Sequence, residues 1–134
     1  MVAPMTTPAS KTILIVDDEP AIREVLSGYF EHRYASRGYC VVTAADGAEA
    51  LRAVRRQRPA LILLDIEMPG VDGVDALRGV RAIDPTIPVI VVTGNADARV
   101  AGAVIEGGAY SYLPKPVKFH YLDHLVATAL GTSG

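Results

Sequence analysis

A chain of 134 residues has room for one ordinary domain with one well-buried core, and a second domain does not fit. Half of the residues are hydrophobic, few are aromatic, and a net charge of −2 with a pI near 5.9 excludes a general attraction to nucleic acid or to an acidic membrane. The lone cysteine, Cys40, cannot close an internal disulfide, no apolar run approaches the ~20 residues that span a bilayer, and the opening MVAPMTTPAS lacks the basic and apolar segments of a secretory signal, so the cytoplasm is the expected compartment.

Residues 1–10 are rich in Pro, Thr, Ala and Ser without a hydrophobic period and predict a mobile tail; the domain is expected over 11–130, with 131–134 as a short C-terminal tail. Strand 1 is expected near 12–16 (TILIV). Helix 1 follows, opening with Pro20 in its first turn and carrying Ile22, Val25, Leu26, Tyr29 and Phe30 on one face. Strand 2 falls near 40–44, and helix 2 follows Asp46 as N-cap, with Ala50, Leu51 and Val54 inward. Strand 3 (61–65) leads to helix 3 (73–83), strand 4 (88–93) to helix 4 (96–107), and strand 5 (110–113) to helix 5 (117–130), where Leu122, Leu125, Val126 and Ala129 recur at helical spacing. Strands as continuously apolar as Ile13-Leu14-Ile15-Val16 and Val89-Ile90-Val91-Val92 belong to a sheet covered on both faces. The fold class is therefore α/β, five βα units wound around a parallel sheet.

The apolar runs share a second property: TILIV runs into Asp17-Asp18, LILL into Asp65, VIVV into Thr93, and YSYL-Pro into Lys115. Right-handed crossovers allow few strand orders, and open sheets of this class bind ligands at the carboxyl ends of strands where the winding reverses. In the order 2-1-3-4-5 that crevice lies between strands 1 and 3, where Asp17, Asp18 and Asp65 stand. Three converging carboxylates repel one another, so either some remain protonated or a cation binds. Oxygen ligands at a water-accessible crevice suit Mg2+, with Mn2+ as a substitute. A carboxylate nucleophile, a cation, a hydroxyl and an ammonium are together the parts of a phosphoryl-accepting site.

The motifs VDDEP (16–20), LLDIEMPGVDG (63–73), VVTGNA (91–96) and YLPKP (112–116), in this order and at these distances, resemble the receiver domains of two-component response regulators, including the single-domain chemotaxis type. The resemblance covers about residues 11–130 and implies the flavodoxin-like doubly wound (βα)5 fold with strand order 2-1-3-4-5. It implies Asp65 as phosphoacceptor, a metal held by Asp17, Asp18, Asp65 and the Glu67 backbone carbonyl, and a phosphoryl group bound by Thr93 and Lys115. It further implies Thr93 and Tyr112 as switch residues; Glu67 and Asn95 occupy positions that resemble those tuning phosphoryl lifetime in the family, and Lys115-Pro116 resembles the family's cis peptide. The implied donor is a phosphohistidine on a sensor histidine kinase or a histidine phosphotransfer protein. The output is a changed surface on helix 4, strand 5 and helix 5, read by a downstream protein target, and a homodimer formed on phosphorylation is left open. Such a domain is a signalling element rather than an enzyme, assisting only its own phosphorylation and dephosphorylation, with no direct nucleic-acid contact and no membrane insertion.

Taken singly, these residues have plainer readings. Asp17 or Asp18 can cap the helix that Pro20 begins, Asp65 and Thr93-Gly94 can be turn residues, Lys115 a solvated charge, and Tyr112 ordinary packing. His120 and His124 lie four apart on helix 5 but lack a third ligand or an HExxH glutamate, and read as surface or interface residues. Arg52, Arg55, Arg56 and Arg58 favour the helix dipole at the end of helix 2, before Pro59. Three features depart from the family pattern: the lengthened EHRYASRGY (31–39), Val117 after the Lys-Pro pair, and Gly107-Gly108 at the end of helix 4. Two other classes remain as alternatives, a receiver-like interaction module that is never phosphorylated and a phosphoaspartate-type hydrolase, although Glu67 stands where the latter has its second Asp. A mononucleotide-binding protein would need a Gly-rich turn where this chain has DDEP.

Overall fold

Alternation along single strands builds both halves of the core. In the computed structural model, which describes residues 11–67, 73–94 and 98–131, strand β1 (Thr12–Val16) is buried along its whole length. Its Ile13 and Ile15 point to one face of the sheet and Leu14 and Val16 to the other. The neighbouring strands β2 (Cys40–Ala44), β3 (Leu61–Asp65), β4 (Val89–Thr93) and β5 (Ser111–Pro114) complete a parallel sheet in the order β2-β1-β3-β4-β5. The registers Val16↔Leu64, Asp65↔Val92 and Thr93↔Pro114 bring the carboxyl ends of the inner strands level with one another.

Helices cover both faces, which is why the central strands can be apolar throughout. On one side α1 (Pro20–Tyr34) and α5 (Phe119–Leu130) bury Leu26, Phe30, Tyr34, Leu122 and Val126 against Ile13, Ile15, Leu63 and Ile90. On the other, α2 (Gly47–Arg56), α3 (Gly73–Ile83) and α4 (Ala98–Glu106) meet Leu14, Val16, Ile62, Leu64 and Val91. Asp46 caps α2 through its side chain, Oδ1 accepting the Glu49 N–H at 2.8 Å. The edge strand β2 is mostly exposed, with only Ala44 fully buried.

The lengthened segment after Phe30 continues α1 to Tyr34 and then tightens into a 3-10 turn over Ala35–Arg37. Gly38 ends that turn at φ +87°, a backbone state that a side chain would strain. Tyr34 packs against Phe30 and Tyr39, so the extra turn adds to the core instead of extending into solvent. Gly107 and Gly108 stop α4, with Gly108 at φ +94°.

Some expectations shift. Helix α5 begins at Phe119 and not at 117, because Lys118 takes the N-cap position and its carbonyl accepts the Tyr121 and Leu122 N–H groups. Strands β4 and β5 each start one residue later than their patterns suggest. Val25 is 56 % exposed and Ile22 37 % exposed, so the apolar stripe of α1 is wider than the core it covers. The two tails, apart from Gly131, and Asn95 lie outside the described residues. Among the described residues no helix is long and apolar enough to cross a membrane.

Candidate functional site

Four polar residues are buried among those described, and three of them, Asp17, Asp65 and Thr93, lie at one edge of the sheet. Each is about 2 % exposed. Asp17 follows β1, with its N–H donating to Ala44 O at 3.1 Å, while Asp65 and Thr93 are the last residues of β3 and β4. Lys115 follows β5, and its N–H donates to Thr93 O at 2.9 Å. The next peptide bond, Lys115-Pro116, is cis. Sheet hydrogen bonding thus delivers two carboxylates, a hydroxyl and an ammonium to one rim.

Both oxygens of the Asp65 carboxylate are held. Lys115 Nζ donates to Oδ2 at 3.0 Å and the Glu67 N–H donates to Oδ1 at 2.8 Å. Asp17 Oδ1 accepts the Glu19 N–H at 2.9 Å, and Arg23, one turn into α1, donates to the Asp17 carbonyl oxygen at 2.6 Å. The Glu67 carboxylate reaches to the end of β4, where Oε1 accepts the Gly94 N–H and lies 3.4 Å from Thr93 Oγ1, long for a hydroxyl hydrogen bond.

Charge in this rim is unevenly balanced. Burial raises the Asp17 carboxyl above its ordinary value; the negative charges of Asp65 and Asp18 add to this, while the Glu19 N–H and Lys115 oppose it. Burial alone would lower the Lys115 ammonium, but its hydrogen bond and attraction to Asp65, helped by Asp17 and Glu67, raise it. Lys115 is therefore firmly protonated, and among the described residues the acids of the rim, Asp17, Asp18, Glu19, Asp65 and Glu67, outnumber Lys115 and Arg23 beside them.

Oxygens of Asp17, Asp18 and Glu19 lie within 4.8 Å of one another, a spacing that a single ion can bridge. Glu19 was not among the expected ligands, and Asp65 is not part of that trio, although its charge acts on Asp17. An all-oxygen donor set that includes a buried carboxylate fits a hard divalent cation. Sequence reasoning also missed the Gly94 amide, a backbone donor without any side-chain signature, and Arg23, which reads as one more charge on an amphipathic helix.

Beside the acids, a cavity of about 240 Å³ opens between α1 and the β5–α5 connection. Ile22, Val25, Val117 and Phe119 line it, with Asp17, Asp65 and Lys115 at its polar end. That location explains the exposed half of the α1 stripe. Tyr112, in β5, stands outward at 39 % exposed. His120 and His124 are exposed on α5, in keeping with a surface role.

The family model described as response regulator receiver domain matches residues 13–127. The chain belongs to this family. This receiver domain is 35% identical over 121 residues to the transcriptional regulatory protein GlrR of Escherichia coli K12, an alignment covering 90% of the chain and 26% of that protein. It is 36% identical over 118 residues to the DNA-binding transcriptional regulator NtrC of the same strain, covering 88% and 24%. The chain thus spans about a quarter of the length of these relatives. A solved CheY-like receiver domain protein from Methanospirillum hungatei JF-1 superposes with a TM-score of 0.83 at 31% identity, covering 91% of this chain and 94% of that one. A receiver domain of two-component response regulators, with the flavodoxin-like fold, therefore carries the acidic rim described above.

Proposed function

We propose that this receiver domain, spanning about 11–130, accepts a phosphoryl group on Asp65 from a phosphohistidine of a sensor histidine kinase or histidine phosphotransfer protein in the cytoplasm. The observation that carries the reading is the Lys115 ammonium held 3.0 Å from the buried Asp65 carboxylate, beside the Asp17, Asp18 and Glu19 oxygens. In the transfer, a carboxylate oxygen of Asp65 attacks phosphorus in line, the P–N bond to the donor imidazole breaks, and that imidazole leaves with the electron pair and is reprotonated. Asp65 needs no separate general base, because an ionised carboxylate is the nucleophile.

Asp17, Asp18 and Asp65, with the Glu67 backbone carbonyl, are the ligands we assign to Mg2+ or Mn2+, and Glu19 is close enough to join them. The bound ion supplies positive charge against the acceptor and the incoming oxygens. Lys115 offsets a further charge from the opposite side. Its firm protonation supports this role. Most of the assistance is thus positioning and electrostatics already built into the rim.

Thr93 and Tyr112 are the residues we assign to the switch. A new dianion on Asp65 attracts the Thr93 hydroxyl from the adjacent strand, drawing the end of β4 inward and leaving room into which the outward Tyr112 ring turns. The populations of two surfaces on α4, β5 and α5 shift accordingly, to be read by a downstream protein or a second copy of the domain. Asn95, together with Glu67, tunes how readily water reaches the acyl phosphate.

Intact-mass measurement after incubation with acetyl phosphate and Mg2+ tests the reading. One added phosphoryl group is expected, absent from Asp65→Asn and from samples treated with a chelator. An unmodified wild-type chain, or equal labelling of Asp65→Asn, overturns it. Continuing turnover of an added phosphoester points to a hydrolase instead.

A further inference from the structure

Glu67 is tied at both ends. Its N–H donates to Asp65 Oδ1 at 2.8 Å, while its carboxylate Oε1 accepts the Gly94 N–H and faces Thr93 Oγ1 at 3.4 Å. Pairing of Asp65 with Val92 puts Thr93 and Gly94 on the strand next to the acceptor, and neighbouring strands lie about 4.8 Å apart. Gly94 has little room beside this carboxylate: a Cβ added there would come within 3.0 Å of Glu67 Oε1. A backbone amide at the end of β4, with a hydroxyl beside it, thus already holds an anion supplied by the chain itself.

Resting on the assignment of Asp65 as acceptor, we propose that the Glu67 carboxylate is an internal stand-in for the phosphoryl group, seated on the Gly94 amide beside Thr93 until the phosphoryl oxygens displace it. Two anions cannot share that amide. Repulsion between them acts over a few ångströms, inside the Debye length of about 8 Å at physiological ionic strength. Glu67 is exposed, so its displaced carboxylate recovers hydration in water and the exchange is reversible. The seated carboxylate would slow acceptance and weaken binding of any phosphoryl mimic, while keeping the end of β4 ordered in the resting domain.

The test measures beryllofluoride affinity by calorimetry in saturating Mg2+, and the Gly94 amide resonance by NMR, for wild type and three variants. Glu67→Ala removes the anion, Glu67→Asp keeps its charge but is one methylene short of Gly94, and Glu67→Gln keeps the reach but not the charge. Freeing a charge-assisted donor corresponds to a change of about tenfold in affinity. Glu67→Ala and Glu67→Asp are expected to bind about that much more tightly than wild type and to shift the Gly94 amide upfield. Glu67→Gln should retain the hydrogen-bonded amide and stay closer to wild type.

Equal affinity in wild type and Glu67→Ala overturns the stand-in alone, as does a Gly94 amide that no variant moves. If Glu67→Asp behaves as wild type and Glu67→Gln as Glu67→Ala, the effect is one of net charge and seat occupation is overturned. A wild-type chain that takes neither beryllofluoride nor a phosphoryl group from acetyl phosphate overturns the acceptor assignment itself.

Discussion

Lys115 Nζ lies 3.0 Å from Asp65 Oδ2 across a separation of 50 positions in the chain, and the pair joins the edge of β5 to the centre of the sheet. Asp65 is buried while the lysine remains partly exposed. The ammonium is thus placed to neutralise an acid that water barely reaches.

Removing that ammonium should affect chemistry more than folding. Lys115→Gln is expected to slow phosphorylation by acetyl phosphate by about 10²-fold, the scale for loss of a preorganised electrostatic stabiliser. Stability should fall by about 1.5 kcal/mol, as for a hydrogen bond to a charged group. Phosphorylation kinetics followed by intact mass and urea unfolding followed by circular dichroism check the two parts separately.

Asp17 predicts a pH dependence whose sign follows from its raised pKa, caused first by burial and then by Asp65 and Asp18. The native chain binds this proton more tightly than the unfolded chain, for which 3.8 is the ordinary value. Stability of the metal-free domain therefore falls as pH rises from about that point through the raised native value, and the penalty persists at neutrality. Asp17→Asn should melt higher than wild type at pH 7 without metal, with the difference vanishing in acid. Its Mg2+ affinity should drop by at least about 10-fold, since even outer partners of a metal site contribute that much. Thermal melts across pH and Mg2+ titrations measure both.

Gly73 begins α3 directly against the backbone of Ile66, the residue after Asp65. A Cβ there would overlap Ile66 Cα and crowd its carbonyl oxygen. Gly73→Ala is expected to cost about 1–3 kcal/mol, as overpacking does, and to slow phosphorylation by displacing the segment that carries Glu67. Unchanged kinetics in the folded variant would mean that this close approach does not position the rim.

Asp46 supplies the contrasting case. Its side chain caps α2 by accepting the Glu49 N–H and makes none of the rim hydrogen bonds described above, so Asp46→Ala should lower stability by about 1 kcal/mol and leave the phosphorylation rate unaltered. Parallel denaturation and acetyl-phosphate assays compare the two effects.

Periodicity in the chain was enough for the five strands, their flanking helices and the burial of β1, β3 and β4 on both faces. Ile13-Leu14-Ile15-Val16 can be apolar without alternation only where both faces are covered, and Asp46 announces α2 by its own capping chemistry. Asp17, Asp65, Thr93 and Lys115 were legible as residues that interrupt apolar runs at strand ends. Boundaries were less legible: the starts of β4, β5 and α5 depend on which backbone groups find partners in space.

Local composition settled which chemical groups the rim would contain, because apolar strands end where polar residues begin. Their arrangement required the folded sheet. Neither the Gly94 amide nor its capture of the Glu67 carboxylate has a side-chain pattern to betray it, and Glu19 joins the acids only through the turn that ties its N–H to Asp17. Val25 looks like core by spacing and instead lines an open cavity, since the neighbouring β5–α5 connection leaves that part of α1 uncovered. Hydrophobic pattern reports what a residue prefers; distances between strand ends, set by register and twist, decide what it meets.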